Sequence, residues 1–192
     1  MIDDIHKIIF VHIPRTSGTS IESFMKDHMS RYEGIQKHSN ASQLYQSIGK
    51  KKWNSYFKFS ITRNPYDIVI SLYKAPAFRN IGYSSGKSLK YFLSHHEPWV
   101  WEHGTTCCDY LNRNDLDHIG EFTNRDKTIE IINEKTGLSI EKSLQLRPIQ
   151  SLSKGLDKKH YSEYYDDETR EIVAKKYAKD IERFGYKFEF QK

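Results

Sequence analysis

Residues 7–22, Lys-Ile-Ile-Phe-Val-His-Ile-Pro-Arg-Thr-Ser-Gly-Thr-Ser-Ile-Glu, constrain this chain more than any other stretch. Ile8, Ile9, Phe10, Val11 and Ile13 make a short apolar run rich in β-branched residues, the pattern of a central parallel strand. Pro14 and Gly18 punctuate its end. Ile21, Phe24, Met25 and His28 then recur at i, i+3, i+4, i+7 and predict one face of a helix. A strand, a tight turn and a helix in this order present backbone N–H groups that lack intrahelical acceptors, which suits an anion. Arg15 adds a positive charge, and Thr16, Ser17, Thr19 and Ser20 add hydroxyls. The turn reads as a phosphate- or sulfate-binding loop. The same Ser and Thr side chains would also serve a plain capped helix.

The loop is not a Walker A sequence, which needs Gly, four residues, Gly, Lys and Ser or Thr. The first Gly is missing, no Lys follows Gly18, and the cation precedes that Gly by three positions. Nor does an apolar strand end in the Asp that would anchor magnesium. The ligand is therefore not expected to need a metal-bridged triphosphate arrangement.

A second strand–turn–helix follows at residues 56–73. Phe57, Phe59 and Ile61 alternate with Lys58 and Ser60, which predicts a strand. Asn64-Pro65 ends it, with Pro suited to a first helical position. Tyr66, Val69, Ile70 and Tyr73 mark the next helical face. Arg63 leaves the C-terminal end of the strand, where ligands sit in open α/β sheets. Ser71 follows two helical turns later, and an Arg fork near a hydroxyl suits a phosphomonoester.

Together, His12-Ile13-Pro14-Arg15-Thr16-Ser17-Gly18-Thr19-Ser20 and Arg63-Asn64-Pro65-Tyr66-Asp67-Ile68-Val69-Ile70-Ser71-Leu72-Tyr73 resemble the sulfotransferase superfamily, in its carbohydrate (Golgi-type and bacterial) branch. That family's H-I-P-K-T-G-G-T-S loop grips the 5′-phosphosulfate of 3′-phosphoadenosine 5′-phosphosulfate (PAPS). Its R-N-P-Y-D-R-x-x-S-x-Y segment grips the 3′-phosphate through Arg and Ser. The C-terminal His160–Tyr165 and Asp180–Tyr186 also look like the family's ending. The resemblance implies that Arg15, Thr16, Ser17, Gly18, Thr19, Ser20, Arg63 and Ser71 bind PAPS, leaving 3′-phosphoadenosine 5′-phosphate (PAP) as product. It further implies that a basic loop closes over the nucleotide. Lys154 and Lys158, in Ser153-Lys154-Gly155-Leu156-Asp157-Lys158-Lys159-His160, are the candidates, although such a run also suits a solvated surface.

Two departures stand out. Arg15 replaces the family's Lys, which contacts the oxygen bridging sulfur and phosphorus. Arg keeps the charge but is planar and does not give up a proton at working pH. The family's I-G-R-F-E is Ile119-Gly120-Glu121-Phe122-Thr123, to which no active-site role is attached.

Sulfuryl transfer also needs a base for the acceptor's proton. His38 lies between the two phosphate motifs, as a catalytic His or Glu does in some relatives, and an imidazole suits neutral pH. A surface His at a helix start is the plainer reading of the same residue. Glu22 and His12 are weaker candidates, His12 being expected as a buried, hydrogen-bonded strand residue.

The rest bounds the answer. At 192 residues the chain is expected to be one domain, 1–192, large enough for a real core. No apolar run of about 18 residues occurs, so no membrane span is expected. Met1–His6 lacks a basic region before an apolar one, so it is not read as a signal peptide, and a cytoplasmic enzyme is expected. Cys107 and Cys108 are adjacent and read as free thiols. The net charge of +5 suits an anionic donor but decides little. His95, His96, Glu97, Glu102 and His103 match no zinc spacing, and no metal is expected. Trp99 and Trp101 suit either an acceptor cleft or simple packing. Helices are predicted over Ala41–Ile48, Lys87–Ser94, Arg125–Lys135 with Gly137 as stop, and Asp167–Phe184, where Val173, Tyr177, Ile181 and Phe184 share a stripe. A strand is predicted over Leu116–Phe122.

The expectation is a three-layer, P-loop-like α/β fold with a mainly parallel central sheet flanked by helices. The expected activity is PAPS-dependent sulfuryl transfer to a hydroxyl, on a glycan or small molecule. The rivals are a non-catalytic PAP- or PAPS-binding homologue, a P-loop kinase or NTPase, and a nucleic-acid module built on Lys50-Lys51-Lys52. No nucleic-acid motif accompanies that run, so no nucleic-acid partner is expected.

Overall fold

The computed structural model describes residues 1–25, 29–75, 80, 82–95, 106–138, 140 and 159–190. In chain order the elements are β1 (Ile2–Asp3), β2 (Ile8–Val11), α1 (Gly18–Met25), α2 (Ala41–Ser55), β3 (Phe57–Thr62), α3 (Pro65–Tyr73), α4 (Leu89–His95), α5 (Cys107–Tyr110), β4 (His118–Glu121), α6 (Arg125–Thr136), α7 (Asp167–Lys176) and α8 (Ala178–Phe184). The fold is α/β, with a four-stranded, mostly parallel sheet of order β1-β2-β3-β4 flanked by helices. β2, β3 and β4 run parallel, with Phe10 opposite Phe59 and Ser60 opposite Ile119. Among the described strands β1 alone is antiparallel, pairing Ile2 with Ile9.

The chain divides into two compact units, residues 1–63 with 109–146 and residues 64–108 with 147–192. The first holds the sheet. Alternate residues of β2 and β3 point to opposite faces. Ile8, Phe10, Phe59 and Ile61 share one core cluster with Ile21 and Met25 of α1 and Ile129 and Ile132 of α6. Ile9 and Val11 point the other way and are equally buried, so β2 is covered on both faces, as its unbroken apolar run requires. Truncating Phe59 to Ala at this position would cost about 3–5 kcal/mol. Gly120 of β4 lets α6 come close: a Cβ there would sit 2.0 Å from Thr128 Oγ1. This contact seats α6, and with it the residue at its start, Arg125.

Helix ends follow their caps. Asn40 and Gln43 form a capping box at the start of α2, and Asp166 and Thr169 do so for α7. Asn64 caps α3 with Pro65 at its first position. Gly137 stops α6 in the left-handed conformation expected of it. The helix predicted to end at Ile48 runs on to Ser55. Gly49 leaves helical geometry (φ 76°, ψ 162°), and the helix resumes beyond this kink.

In the second unit, α3 packs on α7 and on the 3₁₀ turn Tyr161–Tyr164, and α4 packs on α7. Tyr66, Tyr161 and Tyr165 meet the ring of Phe188 edge-on, and Tyr165 donates to the Tyr66 carbonyl at 2.9 Å. The helix predicted over Asp167–Phe184 is two helices, broken at Tyr177 (φ −105°, ψ 22°). Its buried stripe passes from Val173 and Tyr177 to Asp180 rather than to Ile181 and Phe184. Asp180 is drawn in because its carboxylate accepts the N–H groups of Cys107 and Cys108 at 2.6 and 2.8 Å, capping α5. The two cysteines are not disulfide-bonded. Among the described residues, no helix is long and apolar enough to cross a membrane.

Candidate functional site

The loop between β2 and α1 is built from its backbone. Arg15 and Ser17 both have positive φ, 67° and 76°. Such a conformation costs a non-glycine residue roughly 1–2 kcal/mol and persists only where the surroundings enforce it. Alternating backbone of this kind turns successive N–H groups inward into an anion-binding hollow. The Ser17 carbonyl accepts from Ser20 N and Ile21 N, which starts α1. Thr16 is fully buried and its hydroxyl donates to the Ile13 carbonyl at 2.9 Å, so it braces the loop from within. Ser17 and Ser20 remain partly exposed.

Gly18 is required by a neighbour. The His12 imidazole lies against it, and a Cβ on Gly18 would fall 1.6 Å from His12 Nε2. His12 is 3% exposed and stacks on Phe10. Burial, then the nearby charges of His38 and Lys37, push its pKa down to about 2, so it stays neutral. The sequence reading expected a hydrogen-bonded His12. Instead its Nδ1 is buried without a hydrogen-bond partner among the described residues.

His38 meets His12 ring to ring at 4.5 Å between centroids. Its Nδ1 lies 3.2 Å from the His12 carbonyl. A carbonyl can only accept, so Nδ1 carries the hydrogen and Nε2 keeps its lone pair. Partial burial lowers the His38 pKa from 6.5. The His12 carbonyl opposes this, Lys37 adds to it, and Glu22 opposes it. Glu22 itself is engaged by an ion pair with Lys37. His38 is therefore a neutral, solvent-accessible imidazole of defined tautomer beside the loop, while Glu22 is held by Lys37 and His12 is buried.

Three arginines surround the loop. Arg15 belongs to it, and burial followed by the Arg63 charge lowers its pKa to about 10, leaving it protonated. Arg63, just past β3, is 5% exposed and donates from Nη1 to the Arg15 carbonyl at 2.8 Å. Arg125, the first residue of α6, donates from Nη1 to Ser17 Oγ at 2.8 Å. Phe122 meets both of the last two, with the guanidinium carbons of Arg63 and Arg125 3.9 and 4.4 Å from its ring centroid. The sequence shows Arg125 only as a helix start and attaches no role to the segment before it. A basic residue and an aromatic just beyond the third parallel strand were the available signal.

The remaining expected residues divide in two. Ser71 sits half-buried on α3, in the second unit. Lys154, Lys158, Trp99, Trp101 and His96–His103 lie outside the described residues, as does the Thr19 side chain. Among the described residues, no group of three or more His, Cys, Asp or Glu side chains gathers to hold a metal.

The model of the Sulfotransferase family matches residues 1–187. No curated protein and no solved structure matches the chain.

Proposed function

This chain belongs to the sulfotransferase family, and from that premise we propose that it transfers a sulfuryl group from PAPS to a hydroxyl, with a carbohydrate as the acceptor class. The observation that carries the reading is the β2–α1 loop, left-handed at Arg15 and Ser17, carrying Arg15 and met by Arg63 and Arg125, a backbone and charge suited to an anion. The 5′-phosphosulfate of the donor would sit in this hollow. The roles that the resemblance gives Arg63 and Ser71 toward the 3′-phosphate are part of the proposal.

The chemistry is a direct in-line displacement. The acceptor oxygen attacks sulfur while His38 Nε2 takes its proton. The bond from sulfur to the bridging oxygen breaks, and the electron pair stays with the departing 5′-phosphate of PAP. Arg15, the loop N–H groups and the Ser20 hydroxyl stabilise the charge arriving there. Arg15 supplies charge without a transferable proton, so the leaving phosphate departs as the anion. The same residue favours a second reading, a homologue that binds PAP and no longer transfers.

Calorimetric titration with PAP and with ATP, followed by a radiolabelled-sulfate screen over glycans and small alcohols, tests both readings. PAP is expected to bind without magnesium and ATP far more weakly. Magnesium-dependent ATP binding with none of PAP overturns the proposal. PAP binding with no transfer to any acceptor leaves the second reading.

A further inference from the structure

We propose that Arg125 is a positioning residue of the donor site: tied to Ser17 Oγ, it holds the β2 loop in its anion-receiving backbone and couples that hold to the donor's negative charge. The inference rests on the sulfuryl-transfer reading above. It starts from the pairing of strain with ties. The two non-glycine residues of the loop with left-handed backbone are Arg15 and Ser17, and each is tied by an arginine from a different strand end. Arg63, after β3, holds the Arg15 carbonyl. Arg125, after β4, holds the Ser17 hydroxyl. β4 does not neighbour β2, since β3 lies between them. The reach is made across Phe122, the ring that carries both guanidinium groups.

A tie alone would not need a charge here, because a neutral amide can donate to a hydroxyl as well. The charge is costly in three ways. It sits at the first position of a 12-residue helix, where the helix dipole disfavours a cation. It is partly buried, and it stands close to Arg63, so that burial first and the Arg63 charge second depress its pKa, against the pull of Asp126. An arriving phosphosulfate offsets all three costs at once. Donor binding and the Arg125–Ser17 tie should therefore reinforce each other.

The test is a double-mutant cycle read by PAP calorimetry, PAPS kinetics and thermal melting. Arg125→Gln keeps a donor for Ser17 but removes the charge. It is expected to weaken PAP binding about tenfold, near 1.4 kcal/mol. Ser17→Ala removes the acceptor and should cost a similar factor. The double variant should be less than about twofold worse than the weaker single, because without the Ser17 tie the Arg125 charge is no longer held at the loop. KM for PAPS should rise while kcat holds, Arg125→Lys should recover part of the loss, and Tm should stay within about 2 °C of wild type. Unchanged PAP affinity in Arg125→Gln, full additivity with Ser17→Ala, or a loss that follows Tm would overturn the inference. If wild type binds no PAP, the donor reading falls and takes this inference with it. If wild type binds and Arg125→Gln binds equally, only the inference falls.

Discussion

At the N-terminal edge of the sheet Asp4 accepts from Tyr32, Tyr56 and Lys52, and Asp117 accepts from the buried Lys58 at 2.7 Å, whereas at the C-terminal edge Arg15, Arg63 and Arg125 crowd one loop, where burial and then the Arg63 charge lower the pKa of Arg15 and Arg125. The first edge meets its cations with carboxylates from the same unit. Asp4 shows the result: burial would raise its pKa, but hydrogen bonds from Tyr32, Tyr56, Ser30 and Lys52 hold it well below the usual carboxylate range. The second edge spends its hydrogen bonds on a strained backbone and concentrates like charge. One edge thus stabilises the fold, and the other, on the proposed reading, holds potential for an anion. Changes at the C-terminal edge should alter binding or turnover, and changes at the N-terminal edge should alter melting.

The sharpest break concerns His38. His38→Ala is expected to lower kcat by about 10²–10⁴-fold with PAP affinity unchanged. Since its pKa is pushed below 6.5, the wild-type rate should hold at neutral pH and fall only as His38 protonates at more acidic pH. An unaltered rate in the variant removes His38 from the base role. Gly18→Ala comes next. Its Cβ would meet the His12 ring, and displacing that ring or the loop costs roughly 1–3 kcal/mol, or about 5- to 150-fold in PAP affinity. Adding His12→Ala opens the space and should restore part of the binding. Failure of any rescue would mean that the loop needs Gly18 for another reason.

How much of this could be read without coordinates depends on the range of each interaction. The β2 run, the α1 start, β4 inside Leu116–Phe122 and the stop at Gly137 are local patterns, and all four hold. β1 has two residues, too few for any periodicity to show. The break at Tyr177 went unread because a stripe of Val173, Tyr177, Ile181 and Phe184 satisfies a continuous helix. What changes the ending is Asp180 meeting amides some 70 positions away. Around the loop, the first motif offers Arg15 and the Arg-Asn-Pro turn offers Arg63 as candidates, and the fold brings the two together. Arg125 carries no local motif, and its relation to Ser17, 108 residues earlier, exists only through strand order and Phe122. The reason for Gly18 was equally hidden, because the His12 ring that needs it arrives from the end of β2.

The smallest expected effect tests the quiet edge. Asp4→Asn retains an acceptor for Tyr32 or Tyr56 but loses the charge that strengthens both bonds and attracts Lys52. Because the cluster is partly exposed, solvent screens it and the loss should be near 1 kcal/mol. For a chain of this size that is a Tm drop of about 2–4 °C. The pH dependence has a definite sign. A carboxyl with a depressed folded-state pKa adds stability above its unfolded value of about 3.9 and loses it as pH falls toward the folded value. Wild type should therefore melt above Asp4→Asn at pH 6, and the gap should begin to narrow only as pH falls below about 4 toward the folded-state value. PAP affinity should stay within about twofold of wild type, since the cluster braces the edge opposite the loop. A large change in affinity with an unchanged Tm would show that the two edges are coupled through the sheet, and the division of labour between them would have to be redrawn.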